Sequence, residues 1–146
     1  MTVTFCGHRT IHQTAPVKGW LHDVVRELIL QGARTFLLGG YGAFDLLAAH
    51  VVRELKSEFP SIESTHVLAY LTAGTDPLLY DNTLYPPLEK VPPRYAISHR
   101  NRWLVEQSDV VVAYVLHNWG GAATTLGYAK RQSKTVIVYP EKTASQ

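Results

Sequence analysis

Asp109-Val110-Val111-Val112-Ala113-Tyr114-Val115-Leu116 is almost continuously apolar and rich in β-branched residues. It lacks the alternation of a strand that faces water on one side, so it reads as a strand covered on both faces, as in a parallel sheet. Helical segments bracket it. Upstream, Ser98 to Ser108 predicts a short helix with Ser98 as its N-cap. Downstream, Gly120-Gly121 opens a small-residue helix from about Ala122 to Gln132, and Thr135 to Tyr139 predicts a last strand. The same rhythm runs back to the amino terminus. Thr2 to Cys6 is a strand breaking at Gly7-His8-Arg9-Thr10. Val17, Trp20, Leu21, Val24, Val25, Leu28 and Ile29 follow at helical three-and-four spacing, with Pro16 near the first turn and Gly32 at the end.

Arg34 to Leu38 is a second strand, stopped by Gly39-Gly40. A second helix then carries Phe44, Leu47, Ala48, Val51 and Leu55 on one face and closes at Phe59-Pro60. His66 to Leu71 reads as a third strand. Alternating strands and helices predict an α/β, Rossmann-like three-layer sandwich: a mostly parallel sheet of about five strands covered by helices, with right-handed connections. Residues 1–140 form one such domain, and 141–146 read as a frayed tail. One stretch departs from the rhythm. Leu71 to Ala96 holds five of the eight prolines and little periodicity, which suggests a lid or a pocket wall.

The 146 residues suit one domain, and 46% apolar with 18% charged residues places the chain among globular proteins. A net charge of +2 offers no ground for wholesale binding to nucleic acid, which is therefore not an expected partner. A lone cysteine, Cys6, excludes a disulfide framework and a multi-cysteine zinc module. Cys6 reads as a small buried residue rather than a nucleophile. No apolar run approaches the roughly 18 residues that cross a bilayer, so no membrane association is expected. The first residues lack the pattern of a signal peptide. The expected setting is the cytoplasm.

Three strands end in glycine before a helix: at Gly7-His8-Arg9, at Gly39-Gly40-Tyr41-Gly42 and at Gly120-Gly121-Ala122-Ala123-Thr124-Thr125. In an open parallel sheet such loops share the carboxyl edge, where ligands collect. Glycine there lets a phosphate or ribose reach backbone N–H groups, and the following helix directs its positive end at an anion. Arg100 and Arg102 flank Asn101 near a helix start, where a cation opposes the dipole. Phosphate binding explains such a charge, and so does an ion pair from Arg102 to Glu106. Asp45, in a first helical turn, complements the dipole, accepts from a ribose hydroxyl, or acts as a base. Trp119 either stacks on a base or packs. G-x-G-x-x-G, the Walker loop, G-x-S-x-G and H-E-x-x-H are all missing, so no dinucleotide cofactor, P-loop, serine elbow or metal is expected.

These residues carry a resemblance to the SLOG superfamily, which joins the DNA-processing Smf/DprA proteins with the Lonely Guy proteins, and within it to small standalone bacterial members. Phe5-Cys6-Gly7-His8-Arg9 resembles their T-G-H-R opening, and Gly39 to Asp45 with Ala48-Ala49 their G-G-x-G-x-D-x-x-A-A stretch. Arg100-Asn101-Arg102-Trp103 with Ser108-Asp109 resembles their R-N-x-x-[VI]-x-x-S-D pattern, and Gly120 to Thr124 their G-G-T-x-x-T-like loop. The resemblance implies a Rossmann-like fold, a nucleotide or nucleotide-derived ligand, and self-association as a homodimer. The Lonely Guy branch hydrolyses the N-glycosidic bond of nucleoside 5′-monophosphates. Against its site, Arg100 falls on the arginine of an arginine-lysine pair, with Asn101 in place of the lysine. In its P-G-G-x-G-T-x-x-E loop, Trp119 stands for the proline, Ala123 for the third glycine and Leu126 for the glutamate.

The resulting expectation is a nucleotide-binding or sensor protein without a cofactor. The expected ligand residues are Gly7, His8 and Arg9 from the first loop and Gly39, Gly40, Tyr41, Gly42 and Asp45 from the second. Arg100 and Asn101 come from the short helix, and Gly120, Gly121, Ala122, Thr124 and Thr125 from the third loop. The alternative is a nucleotide N-glycoside hydrolase in which Asp45 and Arg100 are catalytic. A weaker alternative is single-stranded DNA binding.

Overall fold

In a computed structural model that describes residues 1–140, six parallel strands form one sheet in the order β4-β3-β2-β1-β5-β6. The expected tail, 141–146, lies outside the described residues. The chain runs β1 (Thr2–Gly7), α1 (Thr14–Leu30), β2 (Thr35–Leu38), α2 (Ala43–Lys56), β3 (Glu63–Val67) and β4 (Asn82–Leu84). After a 3₁₀ turn at Pro93–Tyr95 come α3 (Ala96–Glu106), β5 (Val110–Tyr114), α4 (Gly121–Arg131) and β6 (Thr135–Val138).

The apolar run that pointed to a doubly covered strand is β5, buried along its whole length. Its alternate side chains enter different layers, as the two-residue strand period requires. Val110, Val112 and Tyr114 join Val3, Phe5, Phe36 and Leu38 beneath α1 and α2. Val111 and Ala113 join Cys6, Val105, Leu126 and Ala129 beneath α3 and α4. Phe36, Phe44, Leu21, Leu38 and Ile62 are fully buried, each contributing about 1.5–3 kcal/mol. The apolar faces of two helical layers, one on each side of the sheet, thus make a helix–sheet–helix sandwich. No described helix is long and apolar enough to cross a membrane.

Three local expectations need correction. The third strand is Glu63–Val67, not His66 to Leu71. Its polar start is stabilised by partners far along the chain, since Ser64 N–H donates to Asp81 Oδ2 at 2.9 Å. The short helix starts at Ala96 rather than at Ser98, because Pro93 opens a 3₁₀ turn that runs directly into it; no side chain caps the helix. The proline-rich excursion supplies an edge strand, β4, whose three exposed residues carry no periodic signal. Asp81, just before β4, pairs with Arg53 Nη1 at 3.0 Å and Lys56 Nζ at 2.9 Å, and so ties the excursion to α2. Leu79, Tyr80 and Leu88 bury their side chains. The excursion extends the sheet and contributes no residue between 71 and 96 to the main cleft, so it is neither lid nor wall there.

Candidate functional site

Strands β1 and β5 pair in register to their ends, Gly7 opposite Tyr114. The chain then leaves in opposite directions: β1 connects through α1 toward β2, and β5 through α4 toward β6. Diverging loops open a crevice at this switch point, as the topology dictates. A cleft of about 400 Å³ lies there, walled by the ends of β1, the Tyr41–Asp45 segment, one face of α3, and the His117–Thr125 segment.

At its floor sit two deeply buried ionisable side chains. Arg100 is 4% exposed and Asp45 9%. Arg100 Nη1 donates to Gly39 O at 2.8 Å and to Val67 O at 3.4 Å. Its Nε and Nη2 both donate to Asn101 Oδ1, at 3.3 and 3.2 Å. Four bonds occupy at most four of the five guanidinium N–H groups, leaving at least one for another acceptor. Asn101, with its oxygen engaged, keeps its amide N–H donors for other acceptors, and it lines the cleft. The Asp45 carboxyl is pushed up to about 7 by burial, against the opposing pull of Arg100 and the Tyr41 N–H. That N–H reaches Asp45 Oδ2 at 3.4 Å. A carboxyl so placed exchanges its proton near neutrality. Burial and the nearby Asp45 push the Cys6 thiol up to about 12, so it stays protonated and unreactive.

The glycine loops turn out to do different work. A Cβ on Gly39 would lie 3.0 Å from Arg100 Cζ and 3.1 Å from Asp45 Oδ2, so that glycine admits the two charges rather than a ligand. Gly40 has φ +68°, and its Cβ would lie 2.5 Å from His66 Nε2. His66 is held by Thr75 Oγ1 at 2.9 Å and by the Tyr80 ring at 4.5 Å. Gly40→Ala should therefore lower stability by about 1–3 kcal/mol, read as a lower urea midpoint; an unchanged midpoint would contradict this packing. Gly42 begins α2 beside Arg9, whose carbonyl accepts the Ala43 N–H at 2.8 Å. The amino end of α2 is thereby partly occupied. The amino end of α4 is not. No side chain caps it, Gly120 takes φ +92° with His117 Cε1 3.9 Å from where its Cβ would stand, and Gly121 has open space there. Thr124 and Thr125 turn their hydroxyls back to Gly120 O and Gly121 O, at 3.0 and 2.9 Å.

Three rings stack at the mouth. His8 lies on His117 with centroids 4.0 Å apart, and His117 lies on Trp119 at 3.8 Å. His8 Nε2 accepts the Leu116 N–H at 2.8 Å, so its other nitrogen carries the proton. His117 Nδ1 donates to Trp119 O at 2.8 Å. Burial first, and then His117, lowers the pKa of His8. Arg9 is exposed beside them, its guanidinium 4.8 Å above the Tyr41 ring.

The structure gathers Gly7, His8, Arg9, Tyr41, Asp45, Arg100, Asn101, Gly120, Gly121, Ala122 and Thr125 around one cleft. Gly39, Gly40, Gly42 and Thr124 do not line it. Sequence reasoning missed His117 and Ile97. His117 gave no signal, because the ring beneath it in the stack, His8, is 109 positions away in the chain. The expected Arg102–Glu106 ion pair does not form among the described residues. The Tyr128 hydroxyl donates to Glu106 instead, and Arg102 lies over the Tyr128 ring at 5.6 Å.

No family model and no curated protein matches the chain. Solved structures do. DNA processing protein A from Helicobacter pylori, whose single-stranded DNA binding mode has been described, aligns with a TM-score of 0.72 at 19% identity, over 99% of this chain and 67% of that one. TM1055 aligns with a TM-score of 0.64 at 20% identity, over 92% of this chain and 71% of its own. The Moco carrier protein of Chlamydomonas rheinhardtii aligns with a TM-score of 0.58 at 14% identity, over 94% of this chain and 74% of that one. The fold shared with these structures is the Rossmann-like α/β one that the motif resemblance implies.

Proposed function

We propose that this SLOG-type chain binds a phosphorylated nucleotide or nucleotide-derived molecule in the cleft between the ends of β1 and β5. The observation that carries the reading is the amino end of α4, which no side chain caps, which has free space beside Gly121, and which lines the cleft through Gly120, Gly121 and Ala122. Backbone N–H groups and the helix dipole there favour a phosphate. Arg9 adds an exposed positive charge that lies over the Tyr41 ring and lines the cleft. The amide N–H groups of Asn101 and the carboxyl of Asp45 offer a donor and an acceptor to a ribose. A few hydrogen bonds to charged groups, at roughly 1.5–3 kcal/mol each before ordering costs, support affinities near the micromolar range.

Ala122→Asp separates binding from folding. An acidic residue in the first turn of α4 complements the dipole and adds about 0.3–1 kcal/mol of stability, yet its carboxylate occupies and repels the phosphate position. Titrated by calorimetry, the variant should lose AMP affinity by roughly tenfold or more and keep whatever affinity it has for adenosine. Equal AMP affinity in both proteins would overturn the phosphate assignment.

A second reading, N-glycoside hydrolysis of a nucleoside 5′-monophosphate, draws on Asp45. A buried carboxyl pushed up to about 7 and facing the cleft can take a proton from water as the base leaves C1′. On that reading Asp45→Asn abolishes release of free base and ribose 5-phosphate while the fold persists; unchanged turnover would remove Asp45 from the chemistry.

A further inference from the structure

We propose that Trp119 is the platform on which the flat ring of a nucleobase lies, so that the cleft takes an intact mononucleotide rather than a bare sugar phosphate. The proposal rests on the phosphate reading above and adds the other end of the ligand. Trp119 lines the cleft and is 69% exposed, so its ring is open to a ligand there. One ring face is covered by His117, at an interplanar angle of 15°, and His117 is backed in turn by His8 at 17°. Beneath His8 the Tyr114 ring packs edge-on at 5.7 Å. The exposed indole is thus the outermost ring of a column that reaches down to the buried end of β5.

Two hydrogen bonds hold that column before any ligand arrives. His8 Nε2 accepts from Leu116 N–H, and His117 Nδ1 donates to the carbonyl of Trp119 itself. Both bonds fix the backbone of the loop that carries the indole, so little loop freedom remains to be lost on binding. Every base has a flat π face, and stacking on an indole needs no particular pattern of donors and acceptors. Trp119 also immediately precedes Gly120 and Gly121, the glycines at the open end of α4. A platform for a ring and a cradle for a phosphate lie side by side, which is the arrangement of polar and flat groups that a nucleotide presents.

The test titrates AMP, ribose 5-phosphate and a short oligodeoxythymidylate into the full chain and into Trp119→Ala and Trp119→Phe, following heat and tryptophan fluorescence. The proposal predicts that Trp119→Ala weakens AMP by roughly fivefold to a hundredfold and leaves ribose 5-phosphate unchanged. Trp119→Phe should recover most of the loss, and AMP should alter the fluorescence of the wild-type chain. If AMP binds no tighter than ribose 5-phosphate, or binds Trp119→Ala as it binds the wild type, the platform is overturned while the phosphate reading stands. If Trp119→Ala loses both ligands equally, Trp119 only shapes the loop, and the platform is again overturned. Oligodeoxythymidylate binding far tighter than AMP and lost in Trp119→Ala would overturn the mononucleotide as occupant in favour of a strand. Binding of none of the three would overturn the platform and the phosphate reading together.

Discussion

Arg100→Ala should cost about 3–5 kcal/mol of folding stability, enough to remove much of the margin of a domain this size. The truncation leaves the carbonyls of Gly39 and Val67 and the amide oxygen of Asn101 without their donors. It also leaves Asp45 buried beside no positive charge. Asp45 answers by holding its proton more tightly, so the loss should be larger at pH 8 than at pH 5. Urea unfolding at the two pH values measures it. From the sequence alone, Arg100 reads as a phosphate ligand whose removal weakens binding selectively. The structure makes it first a strut that ties α3 to the ends of β2 and β3. A stable Arg100→Ala protein that has lost only ligand affinity would restore the simpler role.

Wild-type stability should fall as pH rises through the range set by Asp45, and Asp45→Asn should abolish that fall. The sign follows from linkage. Unfolded, the carboxyl titrates near its ordinary 3.8; folded, burial raises it to about 7. Between those values the folded chain binds more protons than the unfolded one, so stability declines with rising pH and levels off above about 7. Each unit of separation is worth about 1.4 kcal/mol, so the decline from Asp45 amounts to a few kcal/mol. His8 and His66 act in the opposite sense, because burial, first among the causes, lowers both. Their contribution is present above the ordinary histidine value and is lost as pH falls through their folded values. Comparing Asp45→Asn with wild type across the same pH series isolates the carboxyl from the histidines. The asparagine variant should be the more stable at pH 8; a variant with the same pH slope as wild type would show that the folded carboxyl titrates normally.

Much of this fold is legible in the chain because its signals are periodic and local. Val110 to Tyr114 reads as a doubly covered strand from apolar content alone, and Val17 to Ile29 as a helix from spacing alone. The misread elements depend on distant partners. Glu63 and Ser64 belong to β3 because Thr35 and Phe36 of β2 lie opposite them and Asp81 accepts the Ser64 N–H, none of which is visible locally. At the site, glycines mark the loops but not their use. Gly39 makes room for a buried guanidinium and Gly40 for an imidazole, Gly120 supplies a positive φ, and only Gly121 of the four faces open space. A glycine in a sequence records that a side chain is unwelcome, not what takes its place. The His8–His117–Trp119 column is invisible for a related reason, since its lower ring comes from the first loop and its upper two from the last.

The occupant we propose for the cleft at the β1–β5 switch point is a phosphorylated nucleotide seated on the amino end of α4. Equilibrium dialysis of the wild-type chain and Ala122→Asp against nucleosides, nucleoside monophosphates, dinucleotides and ADP-ribose derivatives, read by mass spectrometry, tests it most directly. Wild type should retain at least one phosphorylated compound intact, Ala122→Asp should not, and both should retain the matching nucleoside weakly. Retention of no phosphorylated compound, or equal retention by the two proteins, would contradict it.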